Sequence, residues 1–262
     1  MDLNLRDKVI IVTGGAKGIG KAIVKTLAAE GAIPVIVGRN DQDNQKVLDE
    51  VSAAGGRAFA VAAELTKPEE CERVVKEVIA EFGRIEGLVN NAGVNDGVGL
   101  ENGDYERFME SLHRNVVHYY LIAHYALPEL KKSKGPIVNI SSKTGITGQG
   151  NTSAYAAANG GRTALTREWA VELLKYNIRV NAVIVSESWT PAYEKWIQTL
   201  EHPEEKLKEI TDKIPLENRM TTPEELANTT AFLLSERSSH TTGQLIFVDG
   251  GYVHLDRALA NA

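Results

Sequence analysis

Short apolar runs alternate with longer amphipathic stretches along most of the chain. The first run, Val9 to Val12, is apolar at four consecutive positions, which is typical of a strand buried on both faces of a sheet. Similar runs follow at residues 33–37, 58–62, 87–89, 137–140, 178–185 and 245–248. Strands that alternate with helices in this way predict an α/β fold, a doubly wound parallel sheet of about seven strands with helices on both faces.

The stretches between the runs have helical periodicity. Pro68 and Pro223 each open such a stretch, because proline is favoured in the first turn of a helix. The longest predicted helices span residues 105–131 and 153–176. Residues 186–215 are charged and less regular, so we expect them to be the most mobile segment. No repeat or linker interrupts the pattern, and residues 1–262 are predicted to form a single domain.

Composition narrows the classes of partner and compartment. The net charge of -6 argues against a nucleic-acid or anionic-membrane surface. Cys71 is the only cysteine, so no intramolecular disulfide can form, as is usual in a reducing compartment. The N-terminus has no basic segment followed by an apolar run, and no stretch approaches the roughly 18 apolar residues of a membrane span. We therefore expect a cytoplasmic protein.

A glycine-rich turn follows the first strand and precedes the first helix. Gly14, Gly18 and Gly20 leave no side chains between the turn and a ligand. The free N–H groups and the positive dipole end of the helix would then bind a phosphate or pyrophosphate. The spacing differs from the Gly-x-Gly-x-x-Gly dinucleotide fingerprint, and a plain turn is the alternative.

Five features carry a resemblance to a known family. They are Thr-Gly-Gly-Ala-Lys-Gly-Ile-Gly at residues 13–20, Asn-Asn-Ala-Gly at 90–93, Ser142 thirteen residues before Tyr155, Arg-Val-Asn-Ala at 179–182 and Val-Asp-Gly-Gly at 248–251. In this order they resemble the short-chain dehydrogenase/reductase family over essentially the whole chain. Residues 140–144, 165–170 and 250–259 are similar to bacterial L-fucose dehydrogenases within it. The resemblance implies a Rossmann-type fold with its ligand beyond the carboxyl ends of the strands.

The resemblance also assigns catalytic roles. Hydride transfer between nicotinamide and a carbinol carbon requires an acid or base for the hydroxyl proton, and Tyr155 matches the family residue that serves as one. Ser142 would hydrogen-bond the reacting oxygen, and Asn115 matches an asparagine that holds a water in the proton relay. The alternatives are a helix-surface tyrosine, a loop serine and a packing asparagine.

One position departs from the family pattern. The family motif is Tyr-x-x-x-Lys, whereas Asn159 follows Tyr155 at that spacing. Its amide lies on the same helical face and could bond a nicotinamide ribose hydroxyl, but it carries no charge. Lys143 and Arg162 are the cations that could replace the lysine. Lys143 is the better candidate because it adjoins Ser142. Alternatively, Lys143 binds substrate or is simply solvated.

Cofactor choice depends on the end of the second strand. Many nucleotide sites have a carboxylate there, which repels a 2′-phosphate, but this chain has Gly38 and Arg39. Arg39 and Lys17 could bind that phosphate, so NADP is predicted over NAD. Alternatively, Arg39 stacks on adenine and Lys17 is solvated, and both cofactors bind.

The predicted cofactor contacts combine the glycine turn, the resemblance and this reasoning. They are Gly14, Lys17, Gly18, Ile19, Gly20, Arg39, Glu64, Leu65, Asn91, Ala92, Gly93, Tyr155, Asn159 and Thr190. Thr190 would contact the nicotinamide amide or the phosphates, and its alternative role is a helix N-cap, because Pro191 follows it. Val185 and Ser186 stand where the family commonly has Pro-Gly, so the backbone near the carboxamide is expected to differ.

The predicted substrate side consists of polar groups beside aromatic rings. Its candidates are Asn95, Asp96, Lys143, Gln149, Glu187, Trp189 and Tyr193, a set that suits a sugar or polyol. His113, His118 and His124 are spaced too irregularly for one helical face, and no metal site is predicted. The long helices resemble those that pair in family tetramers, so a homotetramer or homodimer is expected, with the tail from Tyr252 reaching a neighbour.

These observations favour a cytoplasmic NADP-dependent dehydrogenase that oxidises a hydroxyl of an aldose such as L-fucose. Asn159 supports one alternative, a nucleotide-binding protein with impaired or lost catalysis. A keto-sugar or ketone reductase, with the same residues working in the opposite direction, is another.

Overall fold

One parallel sheet runs through the computed structural model, which describes residues 2–255. Its strands are β1 (Val9–Thr13), β2 (Ile33–Gly38), β3 (Phe59–Ala62), β4 (Gly87–Asn90), β5 (Ile137–Ser142), β6 (Val180–Val185) and β7 (Leu245–Val248). The spatial order is β3-β2-β1-β4-β5-β6-β7. All neighbours are parallel. The predicted seven-stranded doubly wound sheet is confirmed.

The α-helices of the described residues connect these strands. They are α1 (Gly18–Ala29), α2 (Asp41–Ala53), α3 (Pro68–Phe82), α4 (Tyr105–Leu112), α5 (His118–Ser133), α6 (Ser153–Glu172), α7 (Pro191–Ile197), α8 (Pro203–Thr211) and α9 (Pro223–Leu234). The segment 186–215, predicted to be less regular, contains α7 and α8. Each of these two begins with a proline, which suits the first turn of a helix, and their length is too short for a clear apolar period.

The predicted helix over 105–131 is interrupted. A π-helical turn, His113–Val117, separates α4 from α5. The apolar pattern did not reveal it, because one wide turn barely changes a helical period. The predicted helix over 153–176 ends earlier as well, at Glu172, and a 3₁₀ turn from Leu174 to Tyr176 follows.

Two apolar cores cover the faces of the sheet. Helices α3, α5 and α6 pack on one face, with Tyr119, Ile122 and Trp169 buried there. Helices α1, α2 and α9 pack on the other. The inner strands are thus buried on both sides, which explains their continuous apolar runs, whereas the edge strands β3 and β7 are only partly buried. Within residues 2–255, no helix is long and apolar enough to span a bilayer.

The strand order reverses between β1 and β4, and a crevice opens at their carboxyl ends. Thr13 holds the two strand ends together there. Its hydroxyl oxygen accepts from the backbone N–H of Asn91 at 2.8 Å and of Ala92 at 3.1 Å. Residues 256–262, which include the end of the predicted tail, lie outside the described part of the chain.

Candidate active site

The glycine turn lies at this crevice and leads directly into α1. Gly14 adopts a positive φ of 66° and its N–H donates to the Val37 carbonyl at 2.7 Å. The first turn of α1 contains no acidic residue, so nothing there opposes an anion at the positive end of the helix. The turn therefore fits the pyrophosphate of a dinucleotide, which backbone N–H groups from Gly18 onward would hold.

The Asn91–Gly93 loop after β4 supports this turn. The Asn91 side-chain amide donates to the carbonyls of Thr13 at 2.9 Å and Gly14 at 3.3 Å. These bonds fix the shape of the turn, and the predicted contact of Asn91 with the cofactor stays a prediction. Leu65 is buried in one apolar core and Ile19 packs against the other.

The two predicted phosphate-binding cations are each paired with a carboxylate. Arg39 lies 3.3 Å from Glu64, and Lys17 lies 2.6 Å from Asp43. Burial raises the pKa of Glu64, but the hydrogen bonds from Thr66 and Arg39 outweigh it and hold that pKa below its usual value. The side chains of Arg39 and Lys17 remain 75% and 67% exposed. Both cations are accessible to a ligand, with part of their charge offset.

Thr190 has one of the two roles considered for it, the helix N-cap, and its contact with the cofactor stays a prediction. Its hydroxyl oxygen accepts from the Tyr193 N–H at 3.2 Å and caps α7. A Cβ placed on Gly18 would lie 3.4 Å from Thr190 Cγ2. Thr190 thus caps a helix and also lies beside the glycine turn.

Ser142 and Tyr155 lie on neighbouring elements at the same edge of the sheet. Ser142 ends β5, and its Oγ accepts from the Thr144 N–H at 3.3 Å. A 3₁₀ turn, Lys143–Gly145, follows. This turn lies directly on α6, since a Cβ placed on Gly145 would be 2.7 Å from the carbonyl carbon of Asn159. Tyr155 stands one turn earlier on that helix.

Asn115 lies in the π-helical turn and is fully buried. Its side-chain amide donates to the Ser111 carbonyl at 2.9 Å, and its Oδ1 accepts from the Val94 N–H at 2.8 Å. Its backbone carbonyl accepts from Arg162 Nε at 2.6 Å. Asn115 therefore connects the loop after β4, the π-helical turn and α6.

Asn159 is fully buried, and its hydrogen-bonding groups have partners within the protein. Its side-chain N–H donates to the Tyr155 carbonyl at 2.9 Å. Its Oδ1 accepts from Arg162 Nη1 at 3.0 Å and from Ser141 Oγ at 3.3 Å. The predicted contact with a ribose hydroxyl does not fit this geometry, because no part of the side chain is exposed to a ligand.

Lys143 forms a largely buried ion pair with Glu187, with 7% and 14% of the two side chains exposed. Its ammonium also lies 4.0 Å from the ring centre of Tyr252. The expectation that Lys143 replaces the missing lysine charge is therefore corrected, since Glu187 neutralises it. Burial, together with the Glu187 carboxylate, raises the pKa of the neighbouring Tyr193 phenol.

The other substrate candidates are spread around this pair. Asn95 and Gln149 are exposed on loops, and Asp96 accepts from Ser111 Oγ at 2.8 Å. The rings of Trp189 and Tyr193 lie 6.1 Å apart. Tyr193 thus connects the ion pair, through Glu187, with the ring of Trp189.

The three histidines do not form a site. His118 is buried, and its Nε2–H donates to the Arg114 carbonyl at 3.0 Å. Burial and the charge of Arg162 lower the pKa of His118 to about 3. His124 stacks on Tyr120. Among residues 2–255, no group of three or more His, Cys, Asp or Glu side chains could hold a metal ion.

Two contributions to the site are larger than the sequence suggested. Tyr252 was placed only in the tail, yet its ring covers Lys143. Arg162 was the weaker candidate for the missing charge, yet it lies beneath Tyr155, with its guanidinium carbon 6.0 Å from that ring centre. The helical spacing of seven residues, which made Arg162 a candidate in the sequence, is the signal for this position.

Comparison with known proteins agrees with this arrangement. The family model for enoyl-(acyl carrier protein) reductase matches residues 14–253. The chain belongs to the short-chain dehydrogenase/reductase family of oxidoreductases, whose members generally use NAD(P).

The individual relatives are similar over nearly their whole length. The chain is 36% identical to a 3-oxoacyl-(acyl-carrier-protein) reductase of Thermotoga maritima, over 96% of this chain and 100% of that one. It is 35% identical to an L-fucose dehydrogenase of Bos taurus, over 93% of this chain and 88% of the relative. A crystal structure of Cj0485 dehydrogenase is 48% identical, covers 99% of both chains and superposes with a TM-score of 0.93.

Proposed function

We propose that this protein is an NAD(P)-dependent dehydrogenase that oxidises a hydroxyl of a sugar or polyol, with an aldose such as L-fucose as substrate. Tyr155 accepts the hydroxyl proton, and Ser142 hydrogen-bonds the same oxygen and fixes its distance from the phenol. Asn115 stabilises the buried side of the site, because it accepts hydrogen bonds from the Val94 N–H and from Arg162. The nicotinamide, when bound, accepts the hydride.

The observation that carries this proposal is the contact between the turn after Ser142 and the helix that bears Tyr155. Gly145 approaches the backbone of Asn159 so closely that a Cβ there would lie 2.7 Å from its carbonyl carbon. Ser142 and Tyr155 are thereby held on two rigid elements at the edge where the glycine turn lies. Such rigid placement is what general acid–base catalysis requires.

The polar and aromatic groups beside Ser142 support a sugar as substrate. Lys143 and Glu187 offer donors and acceptors that suit hydroxyl groups, and Trp189 and Tyr193 present ring surfaces that suit the C–H faces of a pyranose. The similarity to a mammalian L-fucose dehydrogenase points the same way.

We also propose NADP as the preferred nucleotide. Arg39, largely exposed after β2, supports it, because a guanidinium can bind a 2′-phosphate with two hydrogen bonds. The carboxylates of Glu64 and Asp43 offset part of the positive charge, so the preference should be modest. NAD would remain a usable cofactor.

Two alternatives have their own support. The buried amide of Asn159, in place of a lysine, favours a nucleotide-binding protein with impaired catalysis. The similarity to a 3-oxoacyl-(acyl-carrier-protein) reductase favours the reductive direction on a ketone or keto-sugar. Nucleotide binding without turnover would support the first, and faster reduction than oxidation would support the second.

A spectrophotometric screen tests the proposal. A panel of aldoses, polyols and their keto forms is offered with NADP, NAD and both reduced forms, and nucleotide absorbance is followed in both directions. Tyr155→Phe and Ser142→Ala are the controls. Turnover of an aldose that both variants lose supports the proposal, whereas turnover that survives in Tyr155→Phe contradicts it.

A homotetramer or homodimer and a cytoplasmic location stay predictions. Tyr105 on α4, Tyr120 on α5 and Val171 on α6 are 73%, 50% and 69% exposed. Apolar exposure on neighbouring helices supports pairing between copies. Sedimentation of the purified protein tests it, with a monomer as the contradicting result.

A further inference from the structure

We infer that Arg162 supplies, from the second turn beyond Tyr155, the positive charge that acts on the Tyr155 oxygen during proton transfer, and that Asn159 serves to hold Arg162 in place. Arg162 is thus a positioning residue that acts through Tyr155. This inference rests on the proposed role of Tyr155 as the acid/base of the reaction.

The first supporting observation is that Arg162 is a buried cation without a countercharge. Only 3% of the residue is exposed. Its Nε donates to the Asn115 carbonyl at 2.6 Å, and its Nη1 donates to the Ile140 carbonyl at 3.3 Å. No carboxylate in residues 2–255 lies within ion-pair distance of it. Neutral carbonyls can hold a guanidinium but cannot cancel its charge.

The second observation is the position of that charge. The Arg162 guanidinium carbon lies 4.4 Å from the ring centre of Tyr119 and 6.0 Å from that of Tyr155. The Tyr119 hydroxyl donates to the Ile140 carbonyl at 2.9 Å, so it is already engaged. A Cβ on Gly93 would lie 2.5 Å from Arg162 Nη2. The guanidinium is therefore fixed in a tight space, where a charge interacts strongly with its neighbours.

The third observation concerns Asn159. Its Oδ1 accepts from Arg162 Nη1 at 3.0 Å. A lysine at this position would place a second cation against the guanidinium in a buried site, which is unfavourable. The amide at 159 and the arginine at 162 therefore make sense together. The Asn159 amide orients the Arg162 guanidinium. The positive charge therefore lies on the turn of α6 that follows position 159.

Other charged groups around the site do not replace Arg162. Lys143 is neutralised by Glu187. On α5, Tyr119 and His118 face Arg162, and burial and the arginine's charge keep the pKa of His118 far below its usual value. Neither Tyr119 nor His118 supplies a positive charge at neutral pH.

Four variants test the inference. Arg162→Gln removes the charge but keeps a hydrogen-bonding head, and Arg162→Lys keeps the charge. Asn159→Lys added to Arg162→Gln returns a charge from the other position. Arg179→Gln is the matched control, because Arg179 also donates to backbone carbonyls, of Leu233 and Ser235, but far from Tyr155 at the start of β6. Circular dichroism and thermal unfolding check the fold of each.

The readouts are the pH profile of kcat/KM for oxidation and the near-ultraviolet titration of tyrosinate, taken as the difference from Tyr155→Phe. Arg162→Gln should move the alkaline rise of kcat/KM upward by about one pH unit, and the tyrosinate difference signal should change with it. At neutral pH kcat/KM should fall roughly tenfold. Arg162→Lys and the double variant should lie close to the original profile, and Arg179→Gln should not move it.

An unchanged profile in folded Arg162→Gln, or an equal shift in Arg179→Gln, would overturn the inference. If Arg162→Gln does not fold, the double variant Asn159→Lys/Arg162→Gln is the deciding test. A pH profile of kcat/KM displaced by about one unit in the double variant would contradict the inference. The absorbance titration needs no substrate. A shift there without sugar turnover would leave this inference standing while the proposed function fails, and sugar turnover without a shift would do the reverse.

Discussion

The cations at the two ends of the nucleotide crevice are held in opposite ways. At the outer end, Arg39 and Lys17 are exposed, and each is paired with a carboxylate. At the inner end, Arg162 is buried and bonded to carbonyl and amide oxygens. Exposed pairs are screened by solvent and salt and contribute little, whereas a buried charge acts strongly on its neighbours. The outer end suits selection between ligands, and the inner end suits control of a proton.

The largest effect is expected from removing the hydroxyl on which the inner charge acts. Tyr155→Phe should lower kcat by about a thousandfold, because general acid–base catalysis contributes on that scale. Nucleotide affinity, measured by fluorescence titration, should stay within a factor of two or so of the original, since the ring remains. Tyr120→Phe, on the exposed face of α5, is the control. Comparable loss in both variants would contradict the assignment of Tyr155.

The next largest effect concerns stability. Glu187→Gln leaves Lys143 buried beside a neutral amide, and removing one partner of a buried pair costs about 3 kcal/mol. Urea unfolding should show that loss, and the KM for sugar should rise. Asp43→Asn, which breaks the outer pair with Lys17, should cost under about 1 kcal/mol. Equal costs for the two would remove the distinction between buried and exposed pairs.

A third prediction concerns the acid sensitivity that His118, buried beside the inner charge, gives the protein. Its pKa is lowered from 6.5 to about 3 in the folded protein, by burial and by Arg162. Between these values the unfolded chain binds the proton and the folded protein does not, so stability falls as the pH falls below 6.5. The expected slope is up to about 1.4 kcal/mol per pH unit.

Urea unfolding at several pH values measures this slope in the original protein and in two variants. His118→Gln should lessen it, because the group that titrates only in the unfolded chain is gone. His124→Gln, at an exposed position on the same helix, should leave it unchanged. A slope that persists in His118→Gln would mean that other groups cause the acid sensitivity.

The smallest effect is expected at the outer end. Arg39→Ser should reduce the ratio of kcat/KM for NADP over NAD roughly fivefold, as befits an exposed and partly neutralised cation. The effect should shrink at high salt, because exposed charges are screened. Arg57→Ser, which breaks an exposed pair with Asp7 away from the crevice, is the control. A preference for NAD in the unaltered protein would contradict the proposed choice of cofactor.

The fold was predictable because the inner strands are buried on both faces, so apolar runs such as Val9 to Val12 mark them directly. The glycine turn was predictable from Gly14 and Gly18, since turn chemistry is local. The π-helical turn around Asn115 was not, because the extra residue leaves the apolar pattern unchanged. The sequence pointed to α7 and α8 only through Pro191 and Pro203.

The replacement charge was harder to predict, because it depends on long-range contacts. Lys143 was favoured over Arg162 for its position next to Ser142. Neighbouring residues at a strand end point in different directions, and Lys143 meets a carboxylate 44 positions further along the chain. The absence of any such partner around Arg162, within the described residues, is equally invisible in the sequence. Charge balance in a buried site follows from tertiary contacts, which periodicity does not encode.

The ring of Tyr252 above Lys143 also has a consequence for biosynthesis. The strand β7 and this ring follow Lys143 in the chain and leave the ribosome after it, and the Gly250 carbonyl accepts from the Leu216 N–H at 3.0 Å. A nascent chain can therefore form its glycine turn long before the ammonium of Lys143 is covered. Ribosome-bound chains should therefore form the turn before they cover Lys143, and Tyr252→Ala should uncover Lys143 without disturbing the turn.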